Sequence, residues 1–195
     1  MKIAEIKRET NETKIELKLK IDGNGNSKIN TGIGFMDHML DLFAKHGSFD
    51  MDLACAGDKY VDFHHSIEDI GIVLGLAFEE ALDGKSGIRR FGHAVIPMDE
   101  AMILVAVDIS GRSFINCDLD IPTEKVGDFD TELAEEFFVS FARNAKLTLH
   151  IKQLYGRNSH HIIEGCFKAF ARAMSDATSI DEKQIGRIPS TKGII

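Results

Sequence analysis

The chain has 195 residues, 44% of them hydrophobic, enough for one domain or two small fused halves. Its net charge of −8 argues against a nucleic-acid partner held by a basic surface. No apolar run is long enough to span a membrane, and Met1-Lys2-Ile3-Ala4-Glu5 lacks the apolar stretch of a signal peptide, so a soluble cytoplasmic protein is expected. Cys55, Cys117 and Cys166 are odd in number, far apart and in apolar surroundings, which reads as free thiols in a reducing compartment.

In chain order, residues 14–21 alternate strictly, with Ile15, Leu17, Leu19 and Ile21 on one face, and predict a half-buried strand. Residues 22–26 predict a turn, Gly23-Asn24-Gly25 reading as the bend of a hairpin. Phe35, Met39, Leu42 and Phe43 give helical spacing over 35–46. A short strand at 49–54 and a long helix over 62–82 follow, the helix ending at Asp83-Gly84. The second half repeats the order: a strand at 101–109, a turn at Ser110-Gly111, an additional strand at 112–119, and a helix over 132–145 striped by Leu133, Phe137, Phe138 and Phe141. A strand at 147–154 and a helix over 158–177 complete it. Residues 178–195 have little periodicity and read as a tail suited to closing over a ligand or reaching a neighbouring chain.

Two of these helices carry the same pentapeptide, His64-His65-Ser66-Ile67-Glu68 and His160-His161-Ile162-Ile163-Glu164. The flanking residues match in register: Glu12 with Glu100, Asp22-Gly23 with Ser110-Gly111, and His38 with Glu136. The chain therefore reads as a duplication, with halves 1–87 and 88–195 forming one compact α+β unit that packs sheet on helices. Adjacent helical residues point about 100° apart, so neighbouring histidines serve different ions, whereas His64/Glu68 and His160/Glu164 (i, i+4) each share a face. Exchanging the outlying histidines between halves gives two sets: His64, Glu68, His161 and Glu136; and His160, Glu164, His65 and His38. Imidazole and carboxylate without thiolate suits Mn, Fe, Co, Ni or Zn over Mg or Ca. The rival reading is surface histidines at helix starts.

His93 and His150 fall in strand patterns and read as structural; His46, near a helix end, reads as a partner of the helix dipole. Arg90, Arg112, Ser190, Thr191 and Lys192 sit on loops and could clamp a phosphate, solvated charge being the ordinary alternative. Glu12 and Glu100 stand at strand entrances as either general bases or ordinary exposed carboxylates. A dinuclear metallohydrolase and a non-catalytic, metal-assembled protein both remain compatible with the ligand sets.

Five motifs in order are specific: Phe35-Met36-Asp37-His38-Met39-Leu40; His64-His65-Ser66-Ile67-Glu68-Asp69; Pro97-Met98-Asp99-Glu100; the run from Gly156 to Glu164; and Ser190-Thr191-Lys192. Together they resemble the monofunctional imidazoleglycerol-phosphate dehydratase family over residues 3–192. The resemblance implies a duplicated α+β fold with helices between two mixed four-stranded sheets, and a homo-oligomer of 24 subunits with active sites between chains. It implies two Mn2+ ions per site, one held by His38, His65, His160 and Glu164, the other by His64, Glu68 and His161. At the remaining position several family members carry a histidine where this chain has Glu136. Substrate contacts carry over onto Glu12, Arg90, Arg112, Ser190 and Lys192, with Thr191 and the ligand histidines His38, His64, His65 and His160 beside them. The implied reaction dehydrates imidazoleglycerol phosphate to imidazole-acetol phosphate in histidine biosynthesis, through a metal-bound imidazolate and a diazafulvene. Glu12, Glu68 and Glu164 are the candidate catalytic carboxylates, with Glu12 handling the C2 proton.

Overall fold

The computed structural model describes residues 2–195. The first half runs β1 (Ile3–Glu9), β2 (Thr13–Lys20), β3 (Ser27–Asn30), α1 (Gly34–Gly47), β4 (Asp50–Gly57) and α2 (His64–Ala81). The second runs β5 (Phe91–Met98), β6 (Ala101–Asp108), β7 (Phe114–Asp118), a small hairpin of β8 (Lys125–Val126) and β9 (Phe129–Asp130), α3 (Leu133–Asn144), β10 (Thr148–Tyr155) and α4 (Ser159–Thr178). Two mixed four-stranded sheets result, ordered β1-β2-β4-β3 and β5-β6-β10-β7, each with its last strand parallel to its neighbour. The expected α+β layering is therefore present, and the repeat is visible in the ladders. Leu17 pairs with Leu53 and Ile29 with Leu53 across β4, just as Val105 and Cys117 both pair with Ile151 across β10.

Two expectations are corrected. The strand at 112–119 is not additional, because β7 has its counterpart in β3, whose four residues are too short and polar to show alternation. Nor is Gly23-Asn24-Gly25 a hairpin bend, since β4 lies between β2 and β3 and the segment is a crossover loop. The Asp50 side chain holds that loop, its Oδ1 accepting from the Asn24 and Asn26 amides at 2.8 and 3.1 Å. The sequence pattern also left β1 and the β8–β9 hairpin unassigned, and showed β5 only as a strand pattern around His93 without bounds.

The inward faces of both sheets close on the helices. α2 lies on β1, β2 and β4, and α4 on β5 and β6, while α2 packs on α3 and α1 on α4 across the halves. Phenylalanines fill the layer between them: Phe43 stacks on Phe170 at 5.2 Å, and Phe78 meets Phe141 edge-on at 5.5 Å. The α2–α3 contact depends on Gly71 and Gly75, where a Cβ would stand 2.7 Å from the Phe137 carbonyl oxygen and 2.6 Å from that of Phe141. The two helices therefore run side by side in the same direction, with their first turns at one end. All three cysteines are free, and burial pushes the Cys55 thiol up to about 11 and the Cys117 thiol up to about 12.

Candidate metal centre

Both pentapeptides open helices, so their histidines stand in first turns. Asn158 caps α4, its side chain accepting from the His161 amide at 3.2 Å, and the Asp62 carboxylate accepts from the His64 amide at 2.7 Å. The i, i+4 geometry then places His160 Nε2 3.1 Å from Glu164 Oε2. Because α1 packs on α4, His38 comes to the same point, its Nε2 3.4 Å from that oxygen. Among the described residues His38, His160 and Glu164 form the one group of three donors converging within 4.8 Å. Two imidazole nitrogens and a carboxylate oxygen in that arrangement fit a borderline divalent metal.

Glu164 is buried, and its second oxygen is taken by Lys168, whose Nζ lies 2.5 Å from Oε1. Burial works against the charge on Glu164. The Lys168 hydrogen bond and charge, helped by His160 and His38, outweigh it and leave the carboxyl below its ordinary value. His46, a few turns along α1 from His38, is pushed down by burial and by the neighbouring charges of Lys168 and Arg172. Sequence reasoning overlooked Lys168, although its place four residues after Glu164 was a readable signal.

The outlying histidines do not join this group. His65 turns its Nδ1 to Asp58 Oδ2 at 3.0 Å, while its Nε2 is 3.7 Å from Glu12 Oε1. His161 turns its Nδ1 to Glu100 Oε2 at 2.7 Å. Glu100 is thus engaged, its other oxygen accepting from the Arg157 and Asn158 amides at 3.2 and 2.8 Å. His161 first, then the Asn158 amide, draw the Glu100 carboxyl down to about 2, and the partner carboxylates raise His65 and His161. His64, Glu68 and Glu136 stand on the first turns of α2 and α3, the packing counterpart of the α4–α1 pair, without converging on a common point in one chain.

The phosphate candidates gather elsewhere. Arg90 pairs with Asp108, Nε to Oδ1 at 2.7 Å and Nη2 to Oδ2 at 3.2 Å, and its Nη1 donates to the Pro189 carbonyl at 2.8 Å. The tail then runs past Gly111, where a Cβ would stand 2.8 Å from the Ile195 carbonyl carbon, beside Arg112. Ser190 Oγ accepts from the Lys192 amide at 3.2 Å, and the Thr191 and Lys192 side chains are exposed. The Arg90 amide bonds the Ala177 carbonyl at the far end of α4. From His160 to Ala177 that helix rises about 25 Å at about 1.5 Å per residue.

Fold and site thus define a duplicated α+β protein with a histidine–carboxylate cluster, compatible with metal binding, at one end of its helical layer. The family model described as imidazoleglycerol-phosphate dehydratase matches residues 31–174. The imidazoleglycerol-phosphate dehydratase of Thermoanaerobacter sp. (strain X514) is 57% identical over 195 residues, covering 100% of both chains. That of Desulforamulus reducens is 54% identical over 192 residues, 98% of this chain and 97% of the relative. The crystal structure of the Staphylococcus aureus subsp. aureus N315 enzyme superposes with a TM-score of 0.84 at 42% identity, over 92% of this chain and 99% of that one. The Pyrococcus furiosus structure, in complex with (S)-C348, gives a TM-score of 0.84 at 39% identity, over 97% and 100%. The chain belongs to the imidazoleglycerol-phosphate dehydratase family, lyases of histidine biosynthesis.

Proposed function

We propose that this chain dehydrates imidazoleglycerol phosphate at sites built from more than one copy of itself, each holding two Mn2+ ions. The observation that carries this reading is the separation within one chain. The His38/His160/Glu164 group and the Arg90–tail region lie at opposite ends of α4, about 25 Å apart by its rise, too far for one small substrate to touch both. A neighbouring copy has to bring one end to the other. The assembly we infer has 24 subunits, located in the cytoplasm; no helix among the described residues is long and apolar enough to cross a membrane.

The two sheets differ in a way that supports self-association. On the outer face of the first, Lys7 faces Glu16 across the strands, with Nζ 3.3 Å from Oε2. At the matching rungs of the second sheet stand Val95 and Leu104. Phe91 and Phe114, more than half exposed, extend that apolar face. The halves 1–87 and 88–195 would then be one ancestral unit whose second copy acquired the contact surface.

The proposed ligands are His38, His160 and Glu164 with His65 for one ion, and His64, Glu68 and Glu136 with His161 for the other. A divalent metal on the substrate's imidazole ring favours the deprotonated ring and with it loss of the neighbouring hydroxyl. The chain's own residues divide the remaining work. Glu12, half exposed and outside both ligand sets, accepts the C2 proton. Glu164 and Glu68 fix the ligand faces of their helices. Arg90 and Arg112, with Ser190, Thr191 and Lys192 of the tail, take the phosphate.

The test is turnover of imidazoleglycerol phosphate by the Mn2+-loaded protein, alongside Glu12→Gln with its metal content measured. Dehydration by the wild type, and its loss in a fully loaded variant, is the expected result. Near-normal turnover by Glu12→Gln would remove Glu12 from the reaction. Hydrolysis of phosphate esters without dehydration would overturn the reading as a whole.

A further inference from the structure

We infer that Asp58 and Glu100 are positioning residues that hold His65 and His161 by their Nδ1 atoms, and that recruitment of Asp58 releases Glu12 from the corresponding duty. The inference rests on reading His65 and His161 as metal ligands. A neutral imidazole carries one N–H, and a carboxylate only accepts. With Asp58 Oδ2 3.0 Å from His65 Nδ1 and Glu100 Oε2 2.7 Å from His161 Nδ1, the proton belongs on Nδ1 in both rings. The lone pair is then on Nε2, the atom each ring points away from its holder, ready for a metal.

The two holders come from different places in the repeat. Glu100 occupies the β5–β6 turn, and the residue matching it in the β1–β2 turn is Glu12. Were the halves equivalent, Glu12 would hold His65. Instead Glu12 faces the other nitrogen of that ring, Oε1 to Nε2 at 3.7 Å, and Asp58, just after β4, takes Nδ1. The exchange is built into the backbone, for the Asp58 amide donates to the Glu12 carbonyl at 3.0 Å and fixes the two residues side by side. Glu100 has both oxygens engaged, with His161 on one and the Arg157 and Asn158 amides on the other, and its side chain is 29% exposed. The Glu12 side chain is 53% exposed, and its one ring contact is beyond hydrogen-bonding length. Of two glutamates placed alike by duplication, one is a fixed support and the other is free to meet a substrate.

Asp58→Asn and Glu100→Gln keep the shapes and remove the charges. Mn2+ titration followed by electron paramagnetic resonance is expected to show affinity weakened about 10- to 100-fold in each. Glu12→Gln is expected to bind Mn2+ as the wild type does. In metal-free protein, 15N spectra of histidine-labelled chain are expected to show His65 and His161 with the proton on Nδ1. That preference should be reduced at His65 alone in Asp58→Asn and at His161 alone in Glu100→Gln, a readout that general loss of stability would not confine to one ring. Wild-type Mn2+ affinity with unchanged tautomers in both variants would overturn the inference. His65→Ala and His161→Ala separate it from the reading beneath it. If they too retain wild-type affinity, the ligand assignment itself fails; if they lose metal while Asp58→Asn and Glu100→Gln do not, only the positioning role falls.

Discussion

Gly71→Ala sets two physical effects against each other. Alanine is the better helix former by about 1 kcal/mol, so on propensity alone the substitution stabilises α2. The structure reverses the sign. A Cβ at this position would lie 2.7 Å from the Phe137 carbonyl oxygen, 2.9 Å from Ser140 Cβ and 3.3 Å from the Phe141 amide nitrogen. Two of these atoms are α3 backbone, so no rotamer change relieves them and α3 has to retreat by roughly half an ångström from a close-packed interface. Overpacking of this kind costs about 1–3 kcal/mol, which leaves a net loss of about 0–2 kcal/mol, centred near 1, and a fall in Tm of about 3 °C for a chain of this size. Melting should be followed on metal-free protein, because bound metal raises Tm by mass action and would mask the difference. Gly34→Ala is the control: it opens α1, nothing lies within 4 Å of its added Cβ, and its Tm should not fall. Since the first turn of α3 carries Glu136, the same displacement should weaken the metal set on α2 and α3 more than the one on α1 and α4. A Gly71→Ala protein melting at or above the wild type would refute the close-approach argument.

Lys168→Met removes the largest effect opposing burial at Glu164 and leaves only His160 and His38 against it, so its pKa should rise from its lowered value, and Mn2+ affinity at the His38/His160/Glu164 set should fall more steeply than in the wild type as pH is lowered; calorimetric titration across pH checks this. Glu136→His restores the repeat counterpart of His38 and should shift the preference of its set from Mn2+ toward Zn2+, read by competition between the two metals. Glu100, held near 2 against an ordinary 4.5, stabilises the metal-free fold above pH 4.5, and that contribution is lost as pH falls toward 2; Glu100→Gln should therefore show a shallower acid dependence of Tm. The three thiols, raised by burial and fully enclosed at Cys166, should react with a disulfide reagent only after denaturant is added, and rapid labelling of native protein would contradict that.

What the sequence disclosed follows from where burial is one-sided. β2 buries Ile15, Leu17 and Leu19 and exposes the lysines and glutamate between them, so its alternation is plain. β1 turns Ala4, Ile6 and the charged Arg8 inward, the last to pair with Asp69 of α2, and β3 has four residues, so neither writes an apolar pattern. β5 shows only as a pattern around His93, without bounds, for the opposite reason. Phe91 and Val95 on its outer face are as apolar as the inner residues, and that surface blurs the period-two signal. At the metal centre, the i, i+4 pair His160/Glu164 and the partnership with His38 were legible because both follow from helix geometry and repeat register. The supports were not. Lys168 could have been found by spacing, but Asp58 beneath His65 and Glu100 beneath His161 are tertiary contacts between loops and helix starts, which no periodicity encodes.

These supports also make the two proposed ligand sets of one duplicated unit unlike. Both halves close on one core, and besides the outer sheet faces their divergence shows in the exposed turns and the first three turns of the helices that carry the candidate ligands. There it has acted three times. His38 faces Glu164 in one set while Glu136 stands in its place in the other. Lys168 neutralises Glu164, whereas the residue matching it beside Glu68 is Ile72. Glu100 supports a histidine, whereas Glu12 does not. The set on α1 and α4 thus offers two imidazoles and one carboxylate already paired with a cation. The set on α2 and α3 offers two carboxylates with no such cation on α2, and so carries the more negative field and the harder ligands. A free Glu12 stands beside His65, on the half that lacks the neutralising lysine. The asymmetry gives a symmetric fold a direction, with the Glu12 carboxylate left free while its counterpart Glu100 is held against a histidine.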